Sequence, residues 1–221
     1  MDLSIRAREP ELLDAGVSER DALDSLADLR FVNRWLGNRR RFLRAVRARL
    51  EESVRPRLLD VGCGSADVPA RLVRTMSKPL LAVGVDVKLL HLRAAAPEVR
   101  CVAADVRALP FAAGSFDVVT ASLFLHHFPS SEIPELLRRL YTLARRALVV
   151  HDLRRHWVPY AFGKVFFPLL FRTRVSVVDG LISIRSGFTP EELRAAFAEA
   201  AIPMELRRGF PFRLLAVAER P

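Results

Sequence analysis

The spacing of apolar positions changes at about residue 57. Before it, apolar side chains step by threes and fours: Leu23, Leu26, Leu29, Val32 and Leu36 in one series, Phe42, Leu43, Val46 and Leu50 in another, with Gly37-Asn38 breaking the chain between them. Such steps put side chains on one face of a helix. Residues 1–52 are therefore expected to be helical, with Ser18 and Asp21 as a capping box. After Arg57, short unbroken apolar runs alternate with amphipathic stretches. "RLLDVG", "LLAVGVDV", "VRCVAADV", "SFDVVTASL" and "RALVVHDL" read as strands. "VPARLVRTM", "HLRAAA" and "EIPELLRRLYTLA" read as helices, with Pro134 tolerated in a first turn. Apolar strands separated by helices predict a parallel sheet covered on both faces.

The alternation lapses after Asp152. "WVPYAFGKVFFPLLF", Trp157 to Phe171, holds six aromatics in fifteen residues. It is too short to cross a membrane, and Pro159, Lys164 and Pro168 interrupt it, so the pattern assigns it no element. "FTPEELRAAFAEAAI" is a helix with Thr189 as N-cap, Pro190 in the first turn and Glu192 at the third position. "PMELRRGFPFRLLAVAER" reads as two strands around Gly209-Phe210-Pro211, close enough to form an antiparallel hairpin.

Composition narrows the class. The chain has 221 residues, 51% of them hydrophobic, enough for one domain with a full core. Cys63 and Cys101 form no C-x-x-C pair, which argues against a disulfide framework or a zinc site; no metal is expected. The charged N-terminus lacks the apolar stretch of a secretory signal, so a reducing, cytoplasmic setting is expected. The net charge is +10, a balance that can mark a nucleic-acid or anionic-membrane partner. Yet only Lys78, Lys88 and Lys164 are lysines. The densest arginine run, Asn38 to Arg49, shares its stretch with a helical apolar face, which makes it a solvated helix surface.

The chemistry is concentrated at the strand ends. In "RLLDVGCGSADVP", Gly62 and Gly64 let the backbone turn sharply and approach a ligand closely. A dinucleotide fingerprint needs a third glycine where Asp67 stands, and a pyrophosphate would there meet a carboxylate. Asp60 likewise suits a cationic ligand end. Asp86 closes the second strand, 22 residues after Gly64, where a carboxylate accepts both hydrogen bonds of a ribose diol. Asp105 closes the third and can accept from an adenine amino group.

The set "LLDVGCGSADVP", "VGVD", "AADVRALPFAAGSFDVV" and "SLFLHHF" resembles class I S-adenosylmethionine-dependent methyltransferases, most of all the small-molecule branch that includes ubiquinone and menaquinone methyltransferases. "DLRFVNRWLG", "HDLRR" and "FTPEELR" are more loosely similar to bacterial methyltransferases associated with phenolic-lipid or type III polyketide pathways. The resemblance implies an α/β, Rossmann-like sheet of seven mostly parallel strands with an antiparallel C-terminal hairpin. Residues 53–221 would form that domain, residues 1–52 a helical N-terminal lid, and the insert 154–186 a cover for the acceptor site. The cofactor implied is S-adenosyl-L-methionine. Asp60, Gly62, Cys63 and Gly64 would shape the pocket for its methionine end, Asp86 and Val87 would hold the ribose, Asp105 and Val106 the adenine, and Ser122 and Leu123 would lie beside the sulfonium. Ala66 departs from the family pattern, which has glycine there.

A phenol acceptor must lose a proton, and a histidine in reach would take it. His127 and His126, just after the fourth strand, are the candidates, with His127 favoured; His151 and Asp152 are second candidates or a buried structural pair. Phe31, Trp35, Trp157 and Tyr160, with His127, are candidates for the acceptor pocket. The expected partner is a small hydrophobic acceptor, taken from or near a membrane surface in a transient contact, with no specific nucleic acid. O-methylation of a phenol, quinol or polyketide-derived compound leads. C-methylation of a quinol ring, RNA or protein methylation, and a non-catalytic cofactor-binding module stand as alternatives.

Overall fold

The computed structural model describes residues 3–35 and 39–221, without the side chains of residues 14, 29–35 and 39. Phe31 and Trp35 thus lie outside the described side chains. Five parallel strands run β1 (Arg57–Val61), β2 (Leu81–Asp86), β3 (Arg100–Ala103), β4 (Phe116–Ser122) and β5 (Ala144–Leu153). The hairpin strands β6 (Glu205–Gly209) and β7 (Arg213–Glu219) complete a seven-stranded sheet of order β3-β2-β1-β4-β5-β7-β6, with β7 antiparallel to both neighbours. The strand order reverses between β1 and β4. The crevice beyond their carboxyl ends is where open α/β sheets take ligands.

Successive strand residues face opposite sides, so each strand feeds two cores. Leu59, Val61, Val119, Leu148 and Val150 pack under α6 (Ile133–Leu143) and α9 (Pro190–Glu199). Leu58, Val118, Val149 and Leu215 pack under α3 (Arg39–Glu51) and α4 (Asp67–Thr75). Phe42, Val46 and Leu50 of α3 are all 0% exposed, so its apolar stripe is part of this second core and its arginines stay outside. Burying each such side chain contributes about 1.5–3 kcal/mol. The capping box of α9 is present, Thr189 Oγ1 accepting from Glu192 N and Glu192 from Thr189 N.

The insert is two helices, α7 (Trp157–Leu170) and α8 (Arg174–Ser186). The sequence pattern misses α7 because it is apolar nearly all round, which erases the helical period. Its anchor is Phe167, whose ring packs against Gly163 and against Gly180 of α8, where a Cβ would come within 2.8 Å of it. Trp157, Phe162, Val165, Phe166 and Leu169 stay exposed. No described helix is long and apolar enough to cross a membrane. At the N-terminus, α1 (Leu12–Ala15) and α2 (Glu19–Trp35) run alongside α8, and the carboxylate of Asp179 accepts from the amides of Leu12 and Leu13 at 2.7 and 2.9 Å. Arg155 holds the first described residues, donating to the carbonyls of Leu3 and Ser4 and to both carboxylate oxygens of Glu192.

Candidate active site

The turn after β1 is built on left-handed backbone. Gly62 has φ +62°, Gly64 +54° and Ala66 +57°. At Ala66, the N-cap of α4, a side chain pays about 1–2 kcal/mol for that conformation, the reason glycine suits this position. The two glycines differ in what surrounds them. A Cβ on Gly62 would sit 2.0 Å from the Phe124 ring, whereas one on Gly64 would meet nothing within 4 Å.

The acids occupy the neighbouring strand ends. Asp60 is buried and accepts from Thr120 Oγ1 at 2.6 Å across β1 and β4. One oxygen of Asp86 accepts from Gly64 N and the other from Lys88 N, both at 2.9 Å, which ties the glycine turn to the end of β2. Burial opposes the charge on Asp86, but hydrogen bonds from His91 and these amides outweigh it and hold the carboxyl below its usual range. Asp105 is exposed, accepts from Arg107 N at 2.8 Å and pairs with the Arg107 guanidinium. Val87 is exposed and Val106 buried. Burial, then the charges of Asp60 and Asp86, push the Cys63 thiol far up, so it stays neutral.

Beyond β4, Ser122 Oγ lies 3.4 Å from His151 Nδ1, and Leu123 takes a left-handed φ of +54° as its amide donates to the carbonyl of His151 at 2.7 Å. A 3-10 turn, Leu125–His127, follows. His126 is buried with Nδ1 2.7 Å from Asp152 Oδ1 and Nε2 3.7 Å from Glu11 Oε1. Burial disfavours its charge, yet Asp152 and then Glu11 outweigh burial and push it up to about 9. His127 stacks on it at 4.4 Å, keeps 28% of its side chain exposed, and has Nδ1 4.0 Å from Glu11 Oε2. Burial opposes the charge on Glu11, but His126 and His127 hold it below the usual range, and Ser183 donates to it. Arg6 clamps the same turn, donating to the carbonyl of His126 at 2.9 Å and of Ser186 at 2.6 Å.

Glu11 and Arg6 escape sequence reasoning: each is one charge in a charged N-terminal run, more than 100 residues from its partners. The ligating atoms of Glu11, His126 and His127 lie within 4.8 Å of one another. The two rings stack only 29° from parallel, so their in-plane lone pairs run side by side instead of converging on one ion. The cluster reads as a network built around the buried His126–Asp152 ion pair. Trp157 and Tyr160 sit in the first turns of α7, which packs on α8, while α8 packs on the histidine turn.

Residues 58–147 match the family described as a methyltransferase domain. This segment is similar to methyltransferase domains. The donor expected for it is S-adenosylmethionine. The domain contains the glycine turn, the three strand-end acids and the histidine turn. Over 132 residues the chain is 36% identical to a demethylmenaquinone methyltransferase of Roseiflexus sp. (strain RS-1), covering 52% of this chain and 53% of that protein. The chain spans about half or less of the length of the curated relatives it matches. Among solved structures, the plantazolicin methyltransferase BpumL, in complex with a pentazolic desmethylPZN analog and SAH, superposes with a TM-score of 0.68 at 14% identity, covering 91% of this chain and 95% of that one. A SAM-dependent methyltransferase from Aquifex aeolicus superposes with a TM-score of 0.59 at 14% identity, covering 80% and 88%. The domain's residues fit such a donor: the outer face of Gly64 is open, and carboxylates on either side suit a cationic, hydroxyl-rich ligand.

Proposed function

We propose that the whole chain methylates a small hydrophobic acceptor, with a phenol or quinol oxygen as the first class and an activated ring carbon as the second. The observation that carries this reading is the division of labour in the histidine turn. His126 is buried between two carboxylates that hold it charged, whereas the His127 ring stacked on it keeps part of its side chain at the surface, where an acceptor can reach it. The similarity to demethylmenaquinone methyltransferases supports a quinol-type acceptor.

Bound S-adenosylmethionine supplies a methyl already activated on a sulfonium. Asp60, Gly62, Cys63 and Gly64 frame the methionine end. Asp86 accepts from the ribose hydroxyls, with Val87 beside it. Asp105 and the amide of Val106 read the adenine, and Ser122 and Leu123 border the reacting end. His127 takes the acceptor's proton, a contribution of roughly 10²–10⁴-fold. Glu11 then stabilises the imidazolium it becomes, and Asp152 and Arg6 fix the turn that carries it. Holding the two reactants in line contributes about 7–11 kcal/mol. Trp157 and Tyr160 belong to the acceptor's approach. The apolar surface of α7, flanked by Lys164, Arg172 and Arg174, supports a transient contact with an anionic bilayer.

The test is transfer of labelled methyl from S-adenosylmethionine into a fractionated bacterial extract. Label in the organic phase supports the reading; label in RNA or protein overturns it. Co-sedimentation with phosphatidylglycerol vesicles, absent with phosphatidylcholine alone, checks the membrane contact.

A further inference from the structure

A small, partly open pocket lies between the first turn of α3 and the β6–β7 hairpin. Arg41, Phe42, His151, Arg207, Arg208 and Arg213 line it. Arg213 is the anomaly. The chain buries three arginines, Arg6, Arg155 and Arg213, among the described residues. Arg6 and Arg155 each donate several good hydrogen bonds. Arg213, 8% exposed, has no partner at Nε, and its Nη1 reaches only the carbonyls of Pro211 and Phe212, at 3.4 and 3.3 Å. Those distances are at the weak limit of hydrogen bonding. Burial pushes Arg213 down to about 10 against the pull of Asp152. A buried guanidinium left short of acceptors destabilises the fold, and a ligand anion would relieve it.

The surroundings say which kind of ligand. Arg207 is already chelated by Glu205, and Arg208 approaches Glu191 at 3.7 Å, while no carboxylate pairs with Arg41 or Arg213 among the described residues. One wall is aromatic, with Phe42 and His151 stacked at 5.1 Å and 17°. His151 also connects the space to the reacting end, since its Nδ1 faces Ser122 at the carboxyl end of β4. We propose that this cavity binds an oxyanion, carboxylate or phosphate, carried on the ring of the methyl acceptor, with the Arg213 Nε–H as its central donor and Arg41 as the second cation. The acceptor is then an acidic aromatic compound, not a neutral phenol. This rests on the proposed methyl transfer.

The test follows the Arg213 Nε–H resonance, assigned by its loss in Arg213→Lys, in the full chain with SAH bound. The probes are 3,5-dihydroxybenzoate, 3,5-dihydroxybenzamide, 3-hydroxyphenyl phosphate and inorganic phosphate, each also offered as methyl acceptor where it has a hydroxyl on a ring. The resonance is expected to move saturably with the benzoate or the aryl phosphate, whichever carries the natural group, and not with the amide. Affinity falls roughly 10- to 100-fold in Arg213→Met, the worth of charge-assisted hydrogen bonds. Arg213→Met is expected to keep or raise Tm, because it removes an unpaired buried charge. An equal response to inorganic phosphate and to the aryl acids, or a clear drop in Tm, overturns the proposal. Methylation of neutral phenols with an unmoved resonance overturns it too but leaves the proposed function standing. Saturable binding of an acid, with no acid or phenol methylated, overturns the acceptor reading beneath it.

Discussion

The charged state of His126 has a measurable effect on stability. The folded protein holds this imidazole at about 9 instead of the ordinary 6.5. Folding therefore favours its protonated form. That contribution is present in full below pH 6.5 and is lost as the pH rises from 6.5 through about 9. At about 1.36 kcal/mol per pH unit, the loss is at most about 3 kcal/mol, a large part of a typical domain's ~5–15 kcal/mol. The assay is urea unfolding at half-unit steps from pH 6 to 9.5, on the wild type and on the double variant His126→Asn/Asp152→Asn. The double variant is needed because removing His126 alone strands a buried carboxylate, at about 3–5 kcal/mol. Groups shared by both proteins cancel in the difference between the two curves. That difference should shrink across the window. Parallel curves, or an imidazole resonance of His126 that titrates below pH 7, would refute the argument and make His126 as able a base as His127.

Three further outcomes are expected. Gly62→Ala should abolish SAH binding by calorimetry, since its Cβ would sit 2.0 Å from the Phe124 ring, while Gly64→Ala meets only a strained φ and should cost about 1–2 kcal/mol of stability; equal effects at the two sites would contradict this. Asp86→Ala, which removes the acceptor for Gly64 N and Lys88 N, should weaken SAH binding by about tenfold or more and also lower stability by about 1–3 kcal/mol. His127→Asn should lower kcat by roughly 10²–10⁴-fold and leave SAH affinity intact, with Glu11→Gln causing a smaller loss; an unchanged kcat in His127→Asn would remove it from the mechanism.

Much of the sheet was legible because each central strand meets apolar neighbours on both faces and so reads as an unbroken run. The turn chemistry at Gly62 and Gly64, and the Thr189 capping box, were legible because backbone geometry there depends on the residue in place. Helix α7 was not. Its fixing contact is one aromatic ring against two glycines, one of them on another helix, and no period within α7 encodes that.

The sequence by itself determined the class of fold, the position of the glycine turn and the acids at the ends of β2 and β3, because these depend on residues near one another in the chain. Tertiary structure alone decided the state of His126. Asp152 stands 26 residues from His126, and Glu11 arrives from the far N-terminus, so only their meeting fixes that the His126 ring is held charged. Likewise, Arg213 is one arginine among many until burial removes its water and the fold supplies no acceptor in its place.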